Sequence, residues 1–490
     1  MPKLRPVLLV TGVLVGVLGV TMLLPLIADL VAEDPADRAN WSAFGVSAII
    51  AVFFGAALAA TSWGRIDQIT VKQGFLLTAS SWVALVAFSA LPIALGAFHM
   101  SYTDAFFEAM SGLTTTGATV IEGLDDAPPG LLLWRSMLQW FGGVGVIIMA
   151  FAVLPALKVG GMQVFKREAW DTSEKFVANA ATYSLALSAI YALFTALCFL
   201  LLWAFGMTPF DAINHAMTTV ATGGYSTKDA SLGAFLSSDG PPLDLIVSAF
   251  MIIGSLPFGI FLAAILRGQV DRLVTDSQIR FFLGTLALLT FVMLVYVYAR
   301  FDVDLLTAFR LSIFNVTSII TGTGYATADY NSWGGFAVGF FFCIMFIGGC
   351  AGSTSCGLKI FRIQVALAAL MVYARRLAHP NGVFVAHYNG RPIGDDVFVA
   401  VLSYFFVYFA GFATLAVLLS GFDLDTITAI SSAASAVANV GPGLGEMVGP
   451  AGNFADLPDG AKWLMSAGML FGRLEFFTLL VLFAPSFWRD

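Results

Sequence analysis

The sequence predicts an all-α polytopic membrane protein. Four pseudo-symmetric units, each a helix, a short pore helix, a filter segment and a second helix, surround a central pore, and an extra N-terminal helical hairpin precedes them. Three observations carry this expectation. The chain is 59% hydrophobic and 11% charged, with a mean hydropathy of +0.87. Apolar runs long enough to cross a bilayer, which takes about 18–20 residues, recur along its 490 residues. A Thr/Gly-rich segment returns four times, each copy set between paired apolar runs.

Ten spans are read in chain order, near 8–30, 42–62, 75–98, 131–157, 182–206, 243–267, 281–300, 335–370, 395–420 and 462–485. Lys3 and Arg5 ahead of an apolar run resemble a signal peptide, but the run is long enough to span and no clear small-residue cleavage pattern comes after it. It is read as a retained helix. Spans 1 and 2 form the hairpin, 1–73. The remaining spans pair into units 74–176, 177–280, 281–392 and 393–490. Cys198, Cys343, Cys350 and Cys356 lie in or near apolar stretches without a Cys-x-x-Cys pair, so neither a disulfide framework nor a zinc site is indicated.

Charge orients the layout. One set of connections carries Lys3, Arg5, Arg65, Lys72, Lys158, Lys166, Arg167, Lys175, Arg267, Arg272, Arg280, Arg362, Arg375, Arg376, Arg391 and Arg489. The other holds Arg38, Arg135, Lys228, Arg300 and Lys462. The ratio, roughly three to one, places the first set and both termini in the cytoplasm. Acidic residues such as Glu122, Asp125, Asp229, Asp304 and Asp425 gather on the opposite side. They either concentrate cations there or simply solvate loops.

Aligned without gaps, the four copies read AMSGLTTTGATV from Ala109, AMTTVATGGYST from Ala216, VTSIITGTGYAT from Val316 and SAVANVGPGLGE from Ser435. The ninth position is Gly117, Gly224, Gly324 and Gly443, and Asp104, Asp211, Asp304 and Asp425 open the preceding segments. An acidic residue suits a helix N-terminus. Each short helix is expected to enter from outside and stop halfway. Non-helical backbone at that depth must line a cavity or be buried in protein. Glycine lets the following strand turn its carbonyls inward, and rings of carbonyl oxygens replace the water shell of a monovalent cation. Thr115, Thr116, Gly117, Thr222, Gly223, Gly224, Gly322, Thr323, Gly324, Gly441, Pro442 and Gly443 are the candidate ion ligands. The competing explanation is that small residues serve close helix packing, which accounts for one or two copies more readily than for four.

The segments QWFGGVGVIIMAFAVLP (139–155), GGCAGSTSCGLK (348–359) and GRLEFFTLLVLFAPSFW (472–488) resemble the TrkH family, within the superfamily of potassium transporters that also includes KtrB and plant and fungal relatives. The resemblance spans essentially the whole chain. It implies potassium as the transported ion, with no organic cofactor in this chain. It also implies a pore within each subunit, a homodimer in the bacterial inner membrane, and a cytosolic ring of nucleotide-binding, TrkA-like regulatory subunits. No nucleic-acid partner is expected. In the plant relatives a serine at the first-unit filter position accompanies sodium transport, so Gly117 favours potassium.

The eighth span is too long for one crossing. In its middle Gly348, Gly349, Gly352, Ser353, Thr354 and Gly357 are expected to unwind the helix into a loop beneath the filter that gates flow, as the matching loop does in TrkH-like proteins. A static kinked helix is the alternative. Cys356 stands where a glycine is expected. Arg473, deep in the last span, is costly unless paired or wetted. It is read as an electrostatic barrier below the filter, like its TrkH counterpart, or as an assembly contact between units. Glu475, two residues away, is not its expected partner. Lys359 either takes part in gating or extends to the interface. Residues 158–176 and 373–392 are basic and either dock a regulator or are ordinary cytoplasmic loops. His215 is expected to pack or hydrogen-bond.

Two functions remain open: a gated potassium uptake pore driven by the membrane potential, and a proton- or sodium-coupled potassium symporter. The symporter needs an intramembrane carboxylate, for which Glu475 is the candidate. No Ser/His/Asp set, His-Glu-x-x-His motif or pair of membrane carboxylates points to an enzyme.

Overall fold

A computed structural model describes residues 4–32, 34, 40–64, 70–152, 180–236 and 240–489. The basic stretch 158–176 and the charges Lys3, Arg38 and Arg65 lie outside the described residues.

The N-terminal hairpin is α1 (Arg5–Thr21), α2 (Leu23–Val31) and α3 (Trp41–Thr61). The first two are a single 27-residue apolar span. Fully buried Asp29 ties the hairpin to the first repeated unit. Its carboxylate accepts from Asn40 Nδ2 at 2.8 Å and from the Gly130 N–H at 2.6 Å. Gly130 lies in the first turn of α6 (Pro129–Ala152), where exposed N–H groups and the helix dipole favour an anion.

A long helix, a short helix and an inner helix, continuous in the first unit and broken in the other three, then recur four times. The first unit is α4 (Val71–Ala94), the short α5 (Tyr102–Leu113) and α6. The second is α7 (Ala180–Ala204), α8 (Pro209–Val220), α9 (Leu243–Gly254) and α10 (Phe258–Arg267). The third is α11 (Ser277–Arg300), α12 (Leu305–Ile320), α13 (Gly335–Ile344) and α14 (Ile360–Ala378). The fourth is α15 (Asp395–Ser420), α16 (Thr426–Ala438), α17 (Asp459–Arg473) and α18 (Phe476–Phe483). A two-residue-per-strand hairpin, His387–Tyr388 against Arg391–Pro392, joins the third unit to the fourth.

Among the described residues seven helices are long and apolar enough to cross a membrane, or nine spans if two bent pairs are counted. Those pairs correct the expectation of continuous sixth and tenth spans. The sixth bends by 88° between Gly254 and Phe258, and the tenth by 111° between Arg473 and Phe476. Pro257 accounts for the first break, since proline lacks the N–H a helix interior needs. At the second, Glu475 has φ +63°, outside the helical region.

The outer faces are apolar and exposed, as on Phe53, Leu288 and Phe406. The centre is polar: Thr114, Thr115, Thr116, Thr218, Thr222, Thr321, Thr323, Ser435 and Asn439 are all fully buried. Buried hydroxyls are costly without partners, and here the Oγ1 atoms of Thr114 and Thr116 pair at 2.7 Å, as do those of Thr321 and Thr323.

Candidate ion pathway

Each short helix is capped at its outer end by a side chain. Ser101 and Thr208 accept from the N–H groups of Asp104 and Asp211, each at 3.1 Å. Asp304 accepts from Leu306 and Thr307 at 3.0 and 3.1 Å, and Asp425 from Thr428 at 3.0 Å. These bonds satisfy orphan donors of the first turn. The four acidic residues therefore divide into two caps, Asp304 and Asp425, and two first-turn residues behind a Ser or Thr cap. Hydrogen bonds from Thr428 hold the Asp425 carboxyl below its ordinary value, and those from Thr307 do the same for Asp304.

All four short helices end alike. One residue turns left-handed: Thr115 (φ 52°), Thr222 (φ 50°), Gly322 (φ 71°) and Asn439 (φ 53°). The next N–H reaches back five residues, from Thr116 to Ser111 O, Gly223 to Thr218 O, Thr323 to Ser318 O (each 2.8 Å) and Val440 to Ser435 O (3.1 Å). This is a Schellman-type helix stop. A glycine with positive φ comes next in every unit: Gly117, Gly224, Gly324 and Gly441.

These glycines form a closed circuit. A Cβ on Gly117 would strike the Gly223 carbonyl, on Gly224 that of Thr323, on Gly324 that of Val440, and on Gly441 that of Thr116. Each glycine thus faces the carbonyl preceding the glycine of the next unit, and the series returns to its start after four steps. The Gly223 carbonyl also accepts from Gln139 Nε2 at 2.6 Å, and Gln139 Oε1 accepts from the Tyr225 N–H at 3.0 Å.

The circuit corrects the fourth unit. Gly443 is not its ring glycine. Its N–H bonds Val448 O at 2.7 Å, and a Cβ there would meet Val448 and Ser431. Pro442 lies beside the ring, its Cδ facing Gly324. Counting from the caps gives the true register: Ser101, Thr208 and Asp425 each stand sixteen residues before Gly117, Gly224 and Gly441. The third short helix is longer, 16 residues against 12, 12 and 13.

The inner helices pass directly beneath these helix ends. A Cβ on Gly142 would collide with Leu113 O, on Gly254 with Val220 O at 2.9 Å, and on Gly472 with Val437 O. In the third unit the same place is taken by the non-helical stretch between α13 and α14, where Ser355 Oγ donates to Thr321 O at 2.7 Å.

That stretch is a closed loop. Its neck is held by Gly348 N to Leu358 O (2.8 Å) and Leu358 N to Phe346 O (3.0 Å). A further bond runs from Ile360 N to Gly349 O at 3.0 Å. Gly352 and Gly357 adopt positive φ. Ser353 and Thr354 are fully buried. Thr354 donates from its N–H and Oγ1 to Gly254 O at 3.1 and 2.8 Å, and Phe258 N donates to Gly352 O at 3.0 Å. The loop is thereby tied to the break in the sixth span. Lys359 Nζ donates to Ser355 O.

Arg473 joins three units. Nη1 donates to Thr354 O at 3.1 Å and to Cys356 Sγ at 2.5 Å, and Nη2 donates to Gly142 O at 3.2 Å. Glu475 pairs instead with Arg362 Nη2 at 2.6 Å, and that guanidinium stacks on Tyr404 at 3.7 Å.

Several central residues were not singled out from sequence. Glu108 and Arg135 form a buried pair at 2.8 Å. Arg135 also donates to Ser226 O and lies 4.1 Å over the Tyr225 ring. Asp244 takes a bidentate bond from Arg310, both contacts 2.8 Å. Lys462 pairs with Asp104 at 2.5 Å. Arg135, Lys462 and Arg362, counted as loop charges, are in fact buried. His215 is held between Asp211 O (2.8 Å) and Ser226 Oγ (3.0 Å). Among the described residues no group of three or more His, Cys, Asp or Glu is placed to hold a metal.

These features define a multi-pass helical membrane protein whose four units converge on one ring of backbone carbonyls. Residues 42–489 match the TrkH family, described as cation transport protein. The chain is 45% identical to the Trk system potassium uptake protein TrkI of Halomonas elongata, over 99% of this chain and 97% of that protein. It is 37% identical to the Trk system potassium uptake protein TrkH of Escherichia coli, over 99% of each. The crystal structure of the potassium transporter TrkH from Vibrio parahaemolyticus matches with a TM-score of 0.91 at 35% identity, covering 100% of both chains. The chain belongs to the TrkH family of cation transport proteins.

Proposed function

We propose that this protein takes up potassium through a selective pore in each subunit, with the carbonyl ring as its filter and the 348–359 loop as its gate. The observation that carries the reading is the four-step closure of the ring at Gly117, Gly224, Gly324 and Gly441. Such a ring offers oxygens of fixed orientation to a weakly hydrated cation. The C-termini of four short helices add partial negative charge beneath it. The relatives named above are potassium uptake proteins.

The proposed ion ligands are the segments Thr115–Gly117, Thr222–Gly224, Gly322–Gly324 and Asn439–Gly441, divided among units 74–176, 177–280, 281–392 and 393–490. The gate is the loop with Lys359 and Arg473. The loop lies against the ends of the short helices, and Arg473 places a guanidinium against it. A regulatory subunit on the cytoplasmic face, a homodimer and cytoplasmic termini complete the proposal. They rest on family resemblance and the distribution of Lys and Arg.

The pore is favoured over coupled symport because Glu475, the carboxylate that symport would use, is engaged by Arg362 at 2.6 Å. The test is flux into reconstituted vesicles of potassium, rubidium, sodium and lithium, with and without an imposed proton gradient. Potassium and rubidium flux driven by voltage alone supports the pore. Uptake that requires the proton or a sodium gradient overturns it in favour of symport.

A further inference from the structure

Beside the loop is a cavity lined by Val146, Met149, Cys356, Lys359, Arg473 and Glu475, among others. Its charge is unusual for a cation conduit. Glu475 is neutralised by Arg362, leaving the Arg473 and Lys359 side chains on the wall. Arg473 is only 4% exposed, and its Nε has no hydrogen-bond partner among the described residues. The cavity wall therefore carries positive charge, and Arg473 has a donor to spare, a combination that suits an anion. On the same wall Cys356 Sγ stands 2.5 Å from Arg473 Nη1 and 3.6 Å from Thr115 Oγ1, at the foot of the ring. Cys356 is itself buried, 6% exposed at the cavity wall. Cys350, in the same loop, and Cys198, on α7, are fully buried and do not line the cavity, and Cys343 is exposed on α13.

We propose that Cys356 is a thiol-modification site that takes small anionic disulfides and related anionic sulfur electrophiles, and that its modification arrests ion flow. The thiol gives its proton to solvent and its sulfur attacks one sulfur of the disulfide. A mixed disulfide forms on Cys356, the original S–S bond breaks, and the second half leaves as a thiolate with the electron pair. Arg473 and Lys359 attract the anionic reagent. The attached group then occupies the space through which Cys356 touches both Thr115 and Arg473, so loop, ring and barrier residue are locked together. Arrest rests on the reading of this loop as the gate; the site itself does not.

The experiment uses full-length protein carrying Cys343→Ser, to silence the exposed thiol. It is treated with 2-sulfonatoethyl methanethiosulfonate or its trimethylammonium-ethyl analogue, which release methanesulfinate on reaction. Labelling at Cys356 is read by mass spectrometry, and rubidium flux is read in vesicles before and after a reducing agent. The expected result is labelling about tenfold faster by the anionic reagent, with loss of flux that reduction restores. Neither effect should appear in Cys356→Ser or Cys356→Ala. Absence of labelling, or faster labelling by the cationic reagent, overturns the site. Labelling with unchanged flux overturns the gate reading and with it the arrest, while leaving the anionic site in place.

Discussion

Thr115 and Thr222 are β-branched residues held at positive φ, a conformation costing about 1–2 kcal/mol for a non-glycine residue. Such strain persists where surrounding structure over-determines it. At Thr115 the helix stop and the flanking Thr114–Thr116 hydroxyl pair act together, and at Thr222 the helix stop acts with the Oγ1 bonds to Ala221 O and Thr354 Oγ1. Glu108 is one of the props behind them: it accepts from Thr119 Oγ1, Val120 N and Arg135 Nε. Removing one partner of a buried ion pair costs about 3–5 kcal/mol, because the other charge is left unpaired. Glu108→Gln is therefore expected to lower the melting temperature in detergent clearly, and Glu108→Gln with Arg135→Met to recover part of the loss. A double variant no more stable than the single one would show that the pair does not act as a unit. Arg473 is a different case, since its contacts are three acceptors in two other units. Arg473→Ala should raise cation flux in folded protein, because a fixed positive charge leaves the loop. Unchanged flux would limit Arg473 to assembly.

The loop is the element on which the proposed gating depends. It is closed by its own neck and pinned to the second unit through Thr354 and Gly352. Shortening it within 351–354 removes those pins, and flux through the shortened protein is expected to rise severalfold over wild type. A fall or no change in well-folded protein would make the loop a static linker. Thr354→Val is a milder version: the Oγ1 bonds to Gly254 O and Val220 O are lost, while shape is nearly kept. Its flux should lie between the wild type and the deletion. The broken sixth and tenth spans matter for the same reason. Each breaks just past a glycine that lets the inner helix pass beneath a short-helix carbonyl, Gly254 and Gly472. Gly142 makes the same approach in a helix that continues to Ala152.

Most of the architecture was legible in the sequence because two signals are long-range and redundant. Apolar runs mark the spans, and the Thr/Gly segment repeats. The features that were not legible depended on local geometry. The Gly-Ser-Leu-Pro at 254–257 is a visible breaker, yet uninterrupted hydropathy on both sides masked it; Glu475 carries no breaker signature at all. Arg135, Lys462 and Arg362 looked like loop charges because their partners, Glu108, Asp104 and Glu475, come from other elements. The fourth copy contains three glycines, Gly441, Gly443 and Gly445, and an ungapped alignment on position nine falls on the second. The caps Ser101, Thr208 and Asp425 would have chosen the first. This register is also where the whole-molecule claim is most exposed. The measurement is the rubidium-to-sodium flux ratio in vesicles for wild type, Gly117→Ser, Gly441→Ser and Gly443→Ala. A four-carbonyl ring built on Gly117 and Gly441 predicts a ratio that collapses in both serine variants and stays near wild type in Gly443→Ala. A ratio lost in Gly443→Ala but kept in Gly441→Ser would contradict it.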